Sequence, residues 1–121
     1  MYLDAAATAP LRPEARAAME RVWDAGQANA SSLHAAGAAA RRELEYARET
    51  VAATFGVAPE GVVFTSGGTE SNNLGVLGLA LAHPRGRRIV TTRIEHSAVA
   101  QSVAYLERMH GFAVDYADVD A

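Results

Sequence analysis

The 121-residue chain is 50% hydrophobic and 21% charged, a composition typical of soluble globular proteins, and its length suits one domain. A formal net charge of -3 and the lack of a basic run argue against nucleic acid as a partner. The longest apolar stretch, residues 74–82, has about half the length needed to cross a bilayer, so we expect no membrane insertion. The start of the chain lacks the basic segment that is typical of a secretory signal. We therefore predict a cytoplasmic protein.

The sequence contains neither cysteine nor lysine. Without a thiol the chain can form no disulfide, thiolate nucleophile or cysteine-ligated metal site, and we predict no bound metal. Without an amine side chain it can form no Schiff base. The abundance of alanine, and of arginine in place of lysine, also fits a compositional bias in the coding sequence.

The first half of the chain predicts two helices. Pro13 suits the first position of a helix that ends near Gly26. A polar loop over residues 27–33 precedes a second helix. Its apolar stripe follows helical spacing through Ala40, Leu44, Ala47, Val51 and Phe55. We expect the charged residues off this stripe to be solvated.

The second half alternates between strand and helix patterns. Residues 62–65 and 88–92 are β-favouring runs, residues 112–116 alternate, and residues 70–82 and 97–109 are helical in pattern. The resulting β-α-β-α-β order, preceded by two helices, predicts an α/β fold with parallel strands and right-handed crossovers. Ligands of such folds bind beyond the carboxyl ends of the strands.

A glycine-containing turn, residues 65–69, joins the first predicted strand to the following helix. Free backbone N–H groups and the positive end of a helix favour an anion there. The glycines allow close approach of a ligand, and the Thr69 hydroxyl adds a donor. The segment therefore predicts a phosphate site, although a tight loop with a helix cap would explain the same residues.

His96 follows the second predicted strand, at the topological position equivalent to that of Thr69. Both side chains should therefore lie at the same edge of the sheet, where an imidazole could stack on a flat cofactor ring. A lone histidine would not support this, since most isolated histidines are surface or capping groups. His83 and His110 fit that simpler interpretation better.

A third polar segment, residues 29–37, leads into the second helix. Its hydroxyl groups are explained without any function if Ser31 or Ser32 caps the helix. From spacing alone, we favour this capping role.

Taken together, four segments resemble the cysteine desulfurases, which belong to the class V aminotransferase-like, fold type I pyridoxal-phosphate enzymes. Residues 2–10 (YLDAAATAP) resemble the opening segment of the family, and residues 29–34 (NASSLH) its Asn-Pro-Ser-Ser-x-His loop. Residues 64–73 (FTSGGTESNN) match the phosphate-binding segment, and residues 95–99 (EHSAV) the segment of the ring-stacking histidine. The chain departs from the pattern at Ala9, where a second threonine is usual, and at Ala30, which replaces proline.

The resemblance implies a pyridoxal 5'-phosphate site. In the family, the residues matching Gly68 and Thr69 hold the cofactor phosphate, and the one matching His96 covers the ring and can act as an acid or base. The aspartate on the pyridine nitrogen, the Schiff-base lysine, the persulfide cysteine and the arginine for the substrate carboxylate lie further along such chains. The chain is accordingly interpreted as a fragment, with residues 1–12 as a small-domain or interface arm and residues 13–121 as part of the cofactor-binding large domain.

The implied parent enzyme converts L-cysteine to L-alanine and passes the sulfur to an enzyme persulfide, for iron–sulfur cluster assembly or nucleoside thiolation. The resemblance also implies a homodimer, and a sulfur-acceptor or scaffold protein as a further partner. Two alternatives stay open: another class V enzyme, such as a selenocysteine lyase or an aminotransferase, and a non-catalytic split or degenerate module.

Overall fold

The computed structural model describes residues 3–26, 28–82 and 86–120. The chain divides into two compact units, Met1–Val63 and Phe64–Ala121. Across the described ranges, none of the helices combines the length and the apolar character that a membrane span requires.

In the first unit, helix α1 spans Pro13–Asp24, as predicted. Its first residue has a fixed φ that suits a helix, and the missing N–H of proline costs nothing at this position. The Arg21 guanidinium donates two hydrogen bonds, of 3.0 and 2.9 Å, to the Glu43 carboxylate. These bonds raise the pKa of Arg21 and lower that of Glu43. Both side chains are exposed, so the pair joins two surface segments without forming a core.

Helix α2 spans Ala35–Phe55 and ends at Gly56, whose φ of 65° is left-handed and suits a residue without a Cβ. The expectation that its charged face is merely solvated was partly wrong. The half-buried guanidinium of Arg48 donates to the carbonyl oxygen of Val62. A polar side chain of α2 therefore holds the segment around Val62 against the helix by a hydrogen bond.

The predicted serine cap of α2 was wrong, because His34 is the cap. Its Nδ1 accepts a hydrogen bond of 3.2 Å from the Gly37 N–H. The serines lie one turn earlier, where Asn29 organises the backbone: the Ser31 N–H donates to the Asn29 Oδ1 at 2.8 Å, and the Ser32 N–H to the Asn29 carbonyl at 2.9 Å. Asn29 therefore organises the turn before the helix, and the His34 imidazole caps the helix itself.

The second unit contains helix α3 (Gly68–Ala82), strand β1 (Arg88–Thr92), helix α4 (Ser97–His110) and strand β2 (Ala113–Ala117). The two strands pair in parallel, with Arg88 opposite Ala113. The first strand has the predicted bounds, the second begins and ends one residue later than predicted, and α4 is one residue longer. The βαβ arrangement and the α/β class are confirmed.

The strand predicted over residues 62–65 was wrong. A short 3₁₀ turn, Pro59–Gly61, leads into this segment, and the backbone at Val62 is extended, with φ -99° and ψ 122°. Extended conformation alone does not make a strand, because a strand requires a partner for its hydrogen bonds. In the part of the chain that the structure describes, the only sheet pairs β1 with β2.

The buried core is small and belongs mostly to the second unit. The inner face of α4 supplies Ala98, Ser102, Val103 and Leu106, and Phe112 follows them. The chain exposes 9722 Å², whereas two separate compact units of half its 12.7 kDa mass would expose roughly 7,500 Å² in total. Large apolar side chains are exposed in both units, among them Leu33, Phe55 and Leu79.

Candidate anion and ring site

The start of α3 provides a set of free donors. Within the described residues, the backbone N–H groups of Gly68, Thr69 and Glu70 have no acceptor, and the Ser71 N–H is the first to bond, to the Gly67 carbonyl at 3.1 Å. A Cβ added at either glycine would meet no atom within 4 Å, so the backbone is open to a ligand. Free N–H groups at the positive end of a helix are suited to bind an anion.

Glu70 fixes the shape of this turn. Its Oε2 accepts hydrogen bonds from the Ser66 N–H and the Ser66 hydroxyl, both of 2.7 Å. The bond from the backbone N–H, followed by that from the hydroxyl, lowers the pKa of Glu70. The carboxylate thus reaches back across the helix start, much as the acidic residue of a capping box does.

The hydroxyl groups of the turn divide into two kinds. Thr65 Oγ1 lies 2.7 Å from Ser71 Oγ, and the Ser71 hydroxyl also contacts the Gly67 carbonyl at 3.2 Å. These two hydroxyls are used to hold the turn together. The Thr69 side chain is exposed and makes no hydrogen bond to a described group, so its hydroxyl is available to a ligand.

His96 lies at the start of α4 and caps it. Its Nδ1 accepts a hydrogen bond of 3.1 Å from the Ala98 N–H. This bond sets the ring orientation and places the proton of the neutral imidazole on Nε2. His110 instead packs its ring 5.4 Å from that of Tyr105, in keeping with a structural role, and His83 lies outside the described residues.

A pair of residues that the sequence analysis missed connects the first turns of α3 and α4. Asn73 Nδ2 donates to the Thr69 carbonyl at 2.8 Å. The Ser102 hydroxyl lies 3.1 Å from Asn73 Oδ1 and 2.8 Å from the Ala98 carbonyl. Asn73 lies within the matched segment 64–73, one turn beyond Thr69, but Ser102 lies six residues beyond His96 and carries no sequence signal that distinguishes it from a solvated helix residue.

The arrangement can bind an anion at one helix start and present an oriented imidazole at another, within one unit of the protein. The structure begins α3 two residues earlier than predicted, which places Gly68 and Thr69 on its first turn, and it places His96 directly before α4, where the sequence predicted it. In the described ranges, no group of three or more His, Asp or Glu side chains is placed to hold a metal ion.

The model of the aminotransferase class-V family matches residues 1–121. An IscS-like cysteine desulfurase of Mycobacterium tuberculosis is 48% identical over 95% of this chain and 30% of its own length. A cysteine desulfurase IscS of Dictyoglomus turgidum is 42% identical over 99% of this chain and 30% of its own length. The solved structure of a NifS-like protein superimposes with a TM-score of 0.85 at 38% identity, covering 98% of this chain and 33% of that one. The chain therefore spans about a third of the length of its relatives.

Proposed function

Because the chain belongs to the aminotransferase class-V family, we propose that it is the amino-terminal part of a cysteine desulfurase. The intact enzyme would convert L-cysteine to L-alanine and pass the sulfur to one of its own cysteines. The likeness to named cysteine desulfurases over nearly the whole chain carries this proposal. The lysine and the cysteine that the reaction requires are absent from these 121 residues, and the remainder of the intact enzyme would supply them.

The cofactor we propose is pyridoxal 5'-phosphate, and the donor set of the site fits it. Three N–H groups and one hydroxyl at the start of α3, which have no hydrogen-bond partner among the described residues, suit a phosphate ester. An imidazole suits the face of a pyridine ring. When bound, this cofactor serves as an electron sink for the substrate carbon.

In this role Gly68 and Thr69 hold the phosphate, through backbone N–H groups and the Thr69 hydroxyl. His96 stacks on the ring. Because its Nδ1 already accepts the Ala98 N–H, any proton that His96 exchanges with substrate passes through Nε2. The Glu70 carboxylate is engaged by Ser66 and shapes the turn instead of binding the anion, whose charge has the same sign.

The wider organisation belongs to the same proposal. Residues 1–12 form a small-domain or interface arm, and residues 13–121 form part of the cofactor-binding large domain. The intact enzyme is a cytoplasmic homodimer. It delivers sulfur to an acceptor or scaffold protein that takes part in iron–sulfur cluster assembly.

The cofactor assignment is tested by replacing Thr69 with alanine in the intact enzyme. Loss of a hydrogen bond to a charged group should weaken pyridoxal-phosphate retention by about 1 to 3 kcal/mol, measured by equilibrium dialysis with absorbance detection. Thr54→Ala is the matched control, since the Thr54 hydroxyl is exposed and bonds only the Thr50 carbonyl of its own helix, at 2.9 Å. Equal cofactor affinity of Thr69→Ala and the unaltered enzyme would remove Thr69 from the site.

The reaction itself is tested by supplying L-cysteine to the intact enzyme with a thiol reductant and measuring alanine and sulfide. We expect the two products in equal amounts. An enzyme that binds pyridoxal phosphate but forms neither product would have the class V cofactor site without desulfurase activity.

A further inference from the structure

The contact between α3 and α4 includes a polar pair in an otherwise apolar setting. The Ser102 residue is 1% exposed and lies among Ala98, Val103 and Leu106, the buried residues of α4. Its hydroxyl faces the partly buried amide of Asn73 on α3. Among the described residues, this is the single side-chain hydrogen bond that joins the two helices. A buried hydroxyl needs a partner, so the pair fixes which faces of α3 and α4 meet.

The hydrogen bonds determine the orientation of the Asn73 amide. Its Nδ2 donates to the Thr69 carbonyl at 2.8 Å, and its Oδ1 lies 3.1 Å from the Ser102 hydroxyl. A flipped amide would place two oxygens together at Thr69, with no proton between them. The Ser102 hydroxyl, which has one proton to donate, lies within hydrogen-bond distance of both Asn73 Oδ1 and the Ala98 carbonyl. The side chain of Asn73 therefore has both ends used and one stable orientation.

The polar contacts lead from one part of the proposed cofactor site to the other. They begin at the Thr69 carbonyl, continue through Asn73 and Ser102, and reach the carbonyl oxygen of Ala98 on the first turn of α4. The N–H of the same residue, on the other side of its Cα, donates to His96 Nδ1 at 3.1 Å. The free donors of α3 and the imidazole are thus connected by short bonds within a single unit.

We propose that Asn73 and Ser102 are positioning residues that set the separation between the phosphate-binding turn and the ring-stacking His96. This inference rests on the proposed cofactor function. A ligand with a phosphate at one end and a ring at the other can satisfy both places only if their separation is fixed in advance. The Asn73–Ser102 pair fixes it by joining the second turns of the two helices, from which each side chain also bonds a carbonyl oxygen of the first turn.

The test removes the Ser102 hydroxyl from the intact enzyme. Ser102→Ala should release pyridoxal phosphate about 3- to 30-fold more readily, the range that corresponds to one lost hydrogen bond of a buried polar pair. The visible circular dichroism of the bound cofactor should also change, because the ring loses its fixed contact with His96. Ser102→Thr, which keeps the hydroxyl, should restore both readouts. Thr50→Ala, the matched control, removes a hydroxyl that bonds only the Tyr46 carbonyl of α2 and should change neither.

A second variant keeps the inference testable if Ser102→Ala fails to fold. Asn73→Asp keeps the size of the side chain but replaces the donor to the Thr69 carbonyl with an acceptor, so it should cause the same loss. The double variant should be no worse than the more affected single variant, because the two residues act as one unit.

The outcomes separate this inference from the function on which it rests. Normal cofactor retention and an unchanged dichroism spectrum in Ser102→Ala and Asn73→Asp would overturn the positioning role, while cofactor binding by the unaltered enzyme would leave the proposed function standing. Failure of the unaltered enzyme to bind pyridoxal phosphate would overturn both. Weak retention that Ser102→Thr does not restore would also count against the hydrogen bond as the cause.

Discussion

Gly37, on the first turn of α2, offers a direct test of how the polar loop before this helix is packed. The residue is buried, and the loop folds back over it. A Cβ at this position would come within 2.7 Å of the Ser32 Cβ and 2.9 Å of the Asn29 carbonyl oxygen, and would also collide with the Ser32 carbonyl oxygen. These obstacles are mostly backbone atoms, which cannot rotate away as the end of a long side chain can.

Two opposing terms set the size of the effect of Gly37→Ala. Alanine favours a helix over glycine by about 1 kcal/mol, whereas inserting a methyl group into a closely packed site costs about 1 to 3 kcal/mol. Because backbone must move, we place the cost at the upper end and expect a net destabilisation of about 1 to 2 kcal/mol. Gly78→Ala makes the same change in the interior of α3, where a Cβ would meet nothing within 4 Å. It should be neutral or stabilising.

The assay is amide hydrogen exchange of the intact enzyme, followed by mass spectrometry over residues 28–40. A loss of 1 to 2 kcal/mol in the free energy of local opening should speed exchange about 5- to 30-fold in Gly37→Ala. The Gly78→Ala variant should leave this segment unchanged. If amide protection over residues 28–40 is equal in the two variants, the loop does not pack closely against Gly37.

Three further predictions concern the chain itself. The pure 121-residue chain should release no sulfide from L-cysteine beyond that caused by free pyridoxal phosphate, since it has no amine or thiol side chain; release above that background would refute this. The pKa of Glu70 is lowered from its ordinary value of 4.5, so the stability that its bonds to Ser66 contribute is present above that value and lost as the pH falls through the lowered pKa. The protection factor at the start of α3, which compares the observed exchange rate with that of an unstructured peptide at the same pH, should therefore fall below about pH 4.5, and Glu70→Gln should abolish this fall. Finally, the isolated chain should be poorly stable and prone to associate, and a cooperative thermal transition from a soluble monomer would contradict this.

The elements that the sequence predicted well are those with local signals. Pro13 marks the start of α1. Gly56 and Gly111 end α2 and α4 in the left-handed conformation, a local signal on which no predicted boundary was based. The bounds of β1 also follow from a short β-favouring run. Residues 62–65 carry a similar run but form no strand, because pairing depends on a partner that local propensity cannot reveal.

The site was also predictable only in part, because some of its contacts join residues that are distant in the sequence. The turn at Gly68 and Thr69 has a recognisable composition, and its resemblance to a known segment made the assignment specific. The cap at His34 was missed because serine and asparagine are more usual caps than histidine. The Asn73–Ser102 contact was missed because the two residues are 29 positions apart, and only the packing of α3 on α4 brings them together.

The incomplete core explains why polar contacts matter so much at this site. No residue of α3 is buried, although the helix is largely apolar, with Leu74 52% and Leu79 73% exposed. Apolar packing within this chain therefore constrains α3 only weakly, since buried area is what hydrophobic stabilisation scales with. Hydrogen bonds are directional and fix a register with few contacts. The Asn73–Ser102 pair can therefore align the start of α3 with α4 before any further segment covers the apolar faces, and covering those faces would then strengthen an arrangement whose geometry is already set.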